Sequence, residues 1–160
     1  MDGWENFFLA QVGASAALVG LIFVAVSISL AKILATARLP ERAFQALLVL
    51  LQILVISSLM LVPHQSTALV GGEVLAIGLL VWIVVIVFDL RNLLNAAAAY
   101  RWRTVLRTIL SQLASLLYLV AGGVLLGRGT EGLYWLVPAM MCAFVIAILD
   151  AWVLLVEINR

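Results

Sequence analysis

The chain has 160 residues, 66% of them apolar and 11% charged, with a net charge of +1 and a mean hydropathy of +1.25. Ordinary globular domains are about 45–50% apolar and about 25% charged, so the soluble classes are excluded. Five apolar runs, 7–31, 43–62, 74–94, 106–126 and 133–156, with short connectors take up the length. About 20 mostly apolar residues cross the hydrocarbon layer as a helix, so the expected fold is an all-α integral membrane protein, a five-transmembrane-helix bundle forming a single transmembrane domain over 1–160.

The amino end, Met1-Asp2-Gly3-Trp4-Glu5-Asn6, is acidic, and the run after it is too long for the apolar core of a secretion signal, so no cleavable signal peptide is expected. The first span carries two stripes. Gly13, Ala17, Gly20 and Ser27, with Val24 and Ala31, form a seam of small side chains. Helices in lipid associate through close backbone approach, which small residues permit. The seam is therefore expected to pack against protein, at the centre of the bundle or of a homo-oligomer. Beside it run Gln11, Ser15, Leu18, Ile22, Ala25 and Ser29.

Pro40 and Glu41 suit the start of the second span, where a missing N–H and a negative charge are tolerated best. Gln45 and Gln52 stand seven residues apart on one face of that span, which stops at Pro63-His64. An outer loop from Gln65 to Gly72 then leads to Glu73 and the third span. The third span is apolar until Asp89, followed by Arg91. The stretch from Asn95 to Arg103 mixes alanines, aromatics and arginines and is expected to lie along the inner headgroup layer. The fourth span has Arg107, Ser111, Gln112 and Ser115 near one end and Gly122-Gly123 near the other. The fifth holds Pro138, expected to kink it, the lone Cys142, and an alanine ridge at Ala139, Ala143, Ala147 and Ala151 beside Asp150. A single cysteine forms no intramolecular disulfide and leaves the redox compartment open.

Orientation follows from the basic residues. Lys32, Arg38, Arg42, Arg91, Arg101, Arg103, Arg107 and Arg160 fall on one side of the zigzag, and Arg128 alone on the other. Cytoplasmic loops carry the excess of Lys and Arg, which puts the amino terminus outside and the carboxyl terminus in the cytoplasm.

Asp150 lies roughly 6–8 Å to the cytoplasmic side of the middle of its span, at 1.5 Å rise per residue. A carboxylate there costs about 2.5–3.5 kcal/mol on insertion scales and is by default a functional candidate facing protein or water. The plainer reading is a register-setting group that accepts from Gln112 or pairs with Arg107. Asp89 lies nearer the headgroups, where an ion pair with Arg91 is the structural reading. With Gln45, Ser111 and Gln112 these acids form a candidate polar cluster or pathway in the cytoplasmic half. Gln52 lies near the midplane, and Gln11 and Ser15 lie in the outer half. His64 has no ligating company, the tryptophans and tyrosines read as an interfacial belt, and no nucleotide, zinc or haem pattern is present. Hence no cofactor or metal is expected. The inner arginines suit anionic lipid headgroups better than nucleic acid.

The opening Trp4-Glu5-Asn6-Phe7-Phe8-Leu9-Ala10-Gln11 and its continuation through Ser27, with Leu39-Pro40-Glu41-Arg42-Ala43 and Pro63-His64-Gln65, resemble a group of small bacterial inner-membrane proteins of unassigned function. The resemblance covers about the first half, implies a multi-pass protein of the bacterial inner membrane, and transfers no site residue. The size and five-span layout are also similar to those of the tryptophan-rich sensory or translocator family. That family's Trp- and Pro-rich first loop is missing, and only Val137-Pro138 matches loosely, so that assignment is not made.

Three functions follow. The first is a homo-oligomeric channel or transporter for a cation, a proton or a small solute, with Gln11, Ser15, Ser27 and Ser29 lining a route between copies and Asp150 and Asp89 drawing in the cation. The second is an accessory or regulatory subunit of a larger membrane complex. The third, an intramembrane hydrolase using Asp89 and Asp150 as a pair, ranks last because neither acid has the sequence setting of known intramembrane aspartyl proteases; the expectation is that the protein is no enzyme.

Overall fold

The computed structural model describes residues 3–35, 39–94 and 101–158, and all regular structure among them is helical. The order is α1 (Glu5–Ile28), α2 (Leu30–Ala35), α3 (Leu39–Met60), α4 (Thr67–Leu94), α5 (Arg101–Arg128) and α6 (Gly132–Ile158), with a 3-10 turn at Gly129–Glu131 between the last two. Glu5–Ile28, Leu39–Met60, Thr67–Leu94 and the stretch Thr104–Leu154 are each long and apolar enough to cross a membrane. The last is divided by that turn into α5 and α6, giving the four to five long apolar helices of a membrane bundle. At 1.5 Å per residue, the 28 residues of α4 extend about 42 Å, well beyond the hydrocarbon thickness of about 30 Å.

Several helices therefore run past their apolar stretches. α4 begins at Thr67, so Glu73 is helical, because Ser66 caps its start: the Leu69 N–H donates to Ser66 Oγ at 3.3 Å. Of the segment expected along the headgroup layer, residues 95–100 lie outside the described residues, and 101–103 form the first turn of α5. α1 ends at Ile28, and Ser29 leaves helical geometry before α2 resumes. Just before the break, the Ser27 hydroxyl donates to the Phe23 carbonyl at 2.8 Å, a kind of back-bond that competes with the helical ladder. α6 continues through Pro138.

The chain divides into two units, residues 1–62 with 144–160 and residues 63–143, so α6 contributes a half to each. In the first unit, α1 and α3 are joined by a short connection and pack along one another, with α2 against α3. α3 buries Leu39, Ala43, Ala46, Leu50, Ile53, Ile56 and Met60, spaced by three and four residues as one helical face requires. α1 buries Phe8, Gln11, Ser15 and Ile22. That is the second stripe, and the small seam faces away: Gly13, Ala17, Gly20 and Ser27 are all exposed. A Cβ built on Gly13 or Gly20 meets nothing within 4 Å. Within the single chain the seam is therefore unpacked, which leaves the centre of a homo-oligomer as the other place expected for it. Ile33, Leu39, Ala43 and Leu154 form an apolar cluster at one end of this unit, with Val26 against it.

In the second unit, α4 and α5 pair antiparallel, as the contacts show: Gly71 meets Leu125 and Leu126, Gly122 meets Leu75, and Gly78 meets Tyr118 and Leu119. The glycines set this approach. A Cβ on Gly71 would stand 2.8 Å from the Leu126 nitrogen, and one on Gly122 would stand 2.9 Å from the Leu75 nitrogen. Both obstacles are backbone, so only glycine permits so close a pairing. Gly129 (φ 69°) supplies the left-handed residue that ends α5.

Candidate functional site

The α4 face turned to α5 carries Val70, Gly71, Val74, Gly78, Val81, Val85 and then Asp89. Asp89 continues an apolar stripe, so the same spacing that packs the helix drives its carboxylate into the interface, where it is 1% exposed. Three α4–α5 contacts converge there. Arg107 Nη1 donates to Asp89 Oδ1 at 3.3 Å. Gln112 Nε2 donates to Asp89 Oδ2 at 3.0 Å. Trp82 Nε1 donates to Gln112 Oε1 at 2.8 Å.

The hydrogen-bond polarity of this chain is fixed by chemistry. An indole N–H only donates and a carboxylate only accepts. Gln112 must therefore turn its oxygen to Trp82 and its amide nitrogen to Asp89, which is the arrangement found. Each donor points towards the negative charge. Trp82 lies within about 2 Å of the centre of α4, whereas Asp89 lies about 13 Å from it at 1.5 Å per residue. The network thus runs from mid-helix towards the helix end, where Arg107 is 18% exposed. Beside it, Ser111 and Ser115 are buried, and the Ser115 hydroxyl donates to the Ser111 carbonyl at 3.0 Å.

One expectation is corrected here. Asp89 pairs with Arg107 rather than Arg91, which is exposed; residues two apart on a helix do not share a face. Gln112 and Arg107, expected as the structural partners of Asp150, both donate to Asp89. Trp82 was missed altogether. Its place seven residues before Asp89 and in the middle of a 28-residue helix was the signal that it does not belong to an interfacial belt. Tyr118 is likewise buried, against Gly78, and its hydroxyl has no hydrogen-bond partner among the described residues.

In the first unit, Asp150 is 2% exposed on the α6 face that also buries Ile146, Ala147 and Leu154. Gln45 and Gln52 are both buried, as their seven-residue spacing requires of one face. Gln11 and Ser15 are buried from α1. The Ser15 hydroxyl donates to the Gln11 carbonyl at 2.6 Å. Gln11 Oε1 and Gln52 Nε2, an acceptor and a donor, have no hydrogen-bond partner among the described residues. His64 sits exposed in the α3–α4 turn with φ 63°.

Fold and site together define a multi-pass helical membrane protein with carboxylates buried among apolar helices. No protein-family model matches the chain, and comparison with curated proteins and with solved structures finds no match.

Proposed function

We propose that the protein transports a proton or a small cation across the membrane, with the buried carboxylates Asp89 and Asp150 as its charge-exchanging groups. The observation that carries this reading is Asp89 at 1% exposure, held by Arg107 and Gln112 between apolar helices. A buried membrane carboxylate is expensive, and such groups mark ion and proton pathways. A cation or proton that reaches Asp89 neutralises it and frees the Arg107 guanidinium. Because Arg107 is 18% exposed and Asp89 only 1%, the arginine side is where water meets the pair. The Trp82–Gln112 link keeps a donor on the carboxylate throughout the exchange. Gln11 Oε1 and Gln52 Nε2 offer unspent hydrogen-bonding capacity elsewhere in the first unit.

A shared axis between copies lined by Gln11 and Ser15 is not proposed, because both are buried within the first unit. Assembly of copies through the exposed α1 seam stays part of the reading. Amino-terminus-outside topology in a bacterial inner membrane follows from the positive-inside count and the resemblance of the first half. Hydrolysis by an Asp pair is set aside, because both Asp89 oxygens already accept hydrogen bonds.

One observation favours a second reading. Asp89 with its donors on both oxygens also suits a latch that fixes α4 on α5, as an accessory subunit of a larger complex requires. Flux of protons and alkali cations into liposomes by wild type, Asp89→Asn and Asp150→Asn separates the two. Transport lost in the variants supports the first, and inactive protein that co-purifies with a stoichiometric partner supports the second.

A further inference from the structure

The contacts at Asp89 also bear on which ion it takes, a question that rests on the reading of Asp89 as a charge-exchanging group. Both carboxylate oxygens accept from nitrogen, Oδ1 from Arg107 Nη1 and Oδ2 from Gln112 Nε2. An alkali cation stripped of water is held by oxygens, which replace its hydration shell. At Asp89 it would meet N–H groups instead, one of them on a guanidinium that keeps its positive charge at every working pH. Arg91, two residues along the same helix, is exposed and lies on another face. A proton needs no set of oxygen ligands. It comes from water on the partly exposed Arg107 side and bonds to Asp89 Oδ1. No covalent bond in the protein breaks. Arg107 keeps its charge and gives up a hydrogen bond, and the site gains one positive charge.

Rotation of the Gln112 amide would bring an oxygen, Oε1, to the carboxylate in place of Nε2. Trp82 opposes that rotation. Its Nε1 donates to Gln112 Oε1 at 2.8 Å, and an indole nitrogen can only donate. After rotation two N–H donors would face one another, and the half-buried indole would lose its acceptor, which is costly away from water. We infer that the Asp89 site takes a proton and refuses alkali cations, and that Trp82 sets this choice by fixing the Gln112 amide. Trp82 is thus a positioning residue: it acts on the carboxylate through Gln112 and does not touch it.

The test is infrared difference spectroscopy of the intact protein in liposomes. The Asp89 bands are identified by their absence from Asp89→Asn combined with Arg107→Gln, which leaves no lone buried charge. In the wild type, acidification within the range where the protein stays folded is expected to replace the Asp89 carboxylate bands with a protonated carboxyl band. Exchanging choline for sodium or potassium, at fixed pH and ionic strength, is expected to leave them unmoved. In Trp82→Phe the same salt exchange is expected to shift the carboxylate bands. Wild-type bands that move with sodium or potassium overturn the inference and leave Asp89 an ion-exchanging group. A Trp82→Phe protein as insensitive to salt as the wild type overturns the role of Trp82. Bands that answer neither acid nor salt overturn the inference and the transport reading of Asp89 together. The salt exchange in the wild type decides the selectivity whether or not Trp82→Phe folds.

Discussion

Asp89 of α4 and Arg107 of α5 form a 3.3 Å ion pair whose two ends differ sharply in access, 1% exposed at the acid and 18% at the base. The pair thus joins two helices and also connects a buried charge to a partly exposed one. Its energetics follow from what each group becomes when the other is removed. Deleting one partner of a buried pair leaves an uncompensated charge, at a cost of about 3–5 kcal/mol. Arg107→Gln is therefore expected to destabilise the protein by that order, and Asp89→Asn combined with Arg107→Gln to recover most of the loss. A denaturant or thermal titration in detergent reads this directly. Additive losses in the double variant would show that the two residues do not act as a pair.

Gln112 holds the second carboxylate oxygen and in turn accepts from Trp82. Hydrogen bonds to charged groups are worth about 1.5–3 kcal/mol and neutral ones about 0.5–1.5 kcal/mol. Gln112→Leu is accordingly expected to cost more than Trp82→Phe in the same titration. Reporting from the other end, Trp82 emission should shift in Asp89→Asn, because Gln112 loses its charged acceptor. An unchanged Trp82 spectrum would mean that the network does not couple the indole to the acid.

Glycines of similar appearance have opposite roles. Gly71→Ala or Gly122→Ala places a methyl within 3 Å of the opposing helix backbone and should cost about 1–3 kcal/mol by overpacking. Gly13→Ala and Gly20→Ala meet nothing and should be neutral or stabilising, by up to about 1 kcal/mol, from helix propensity. Unfolding titrations of the four variants decide this.

The same exposed seam makes a separate point about assembly. Gly20→Leu leaves the fold of the single chain intact, as nothing lies within 4 Å of a Cβ there, but it blocks close approach by a second α1. Cross-linking in native lipid should show a loss of homo-oligomer. Undiminished cross-linking would place any interface between copies elsewhere.

Much of the fold was legible because run length reports membrane helices directly. The four-residue spacing of the alanine ridge also marked a buried face of α6 at Ala139, Ala143 and Ala147. Helix ends were not legible: at Thr67 a serine cap and tight packing carry α4 through Gly71, Gly72 and Glu73, residues that break or polarise a hydropathy run. The facing of α1 was misread because in lipid no hydrophobic drive distinguishes one apolar stripe from another. Polar Gln11 and Ser15, which must turn from hydrocarbon, were the better guide than the glycines. Asp89 and Gln112 were recognised as candidates, but their pairing depends on the α4–α5 register. That register is set by where Gly71, Gly78 and Gly122 meet the opposite helix, a relation between distant segments that no local pattern encodes.

The most direct test of the central claim is proton and alkali-cation flux into liposomes, with wild type, Asp89→Asn and Asp150→Asn reconstituted at equal density. The expected result is flux by the wild type that neutralising either carboxylate largely removes. Wild-type protein that is folded and inserted yet conducts nothing, or variants that conduct as well as it does, would contradict the claim.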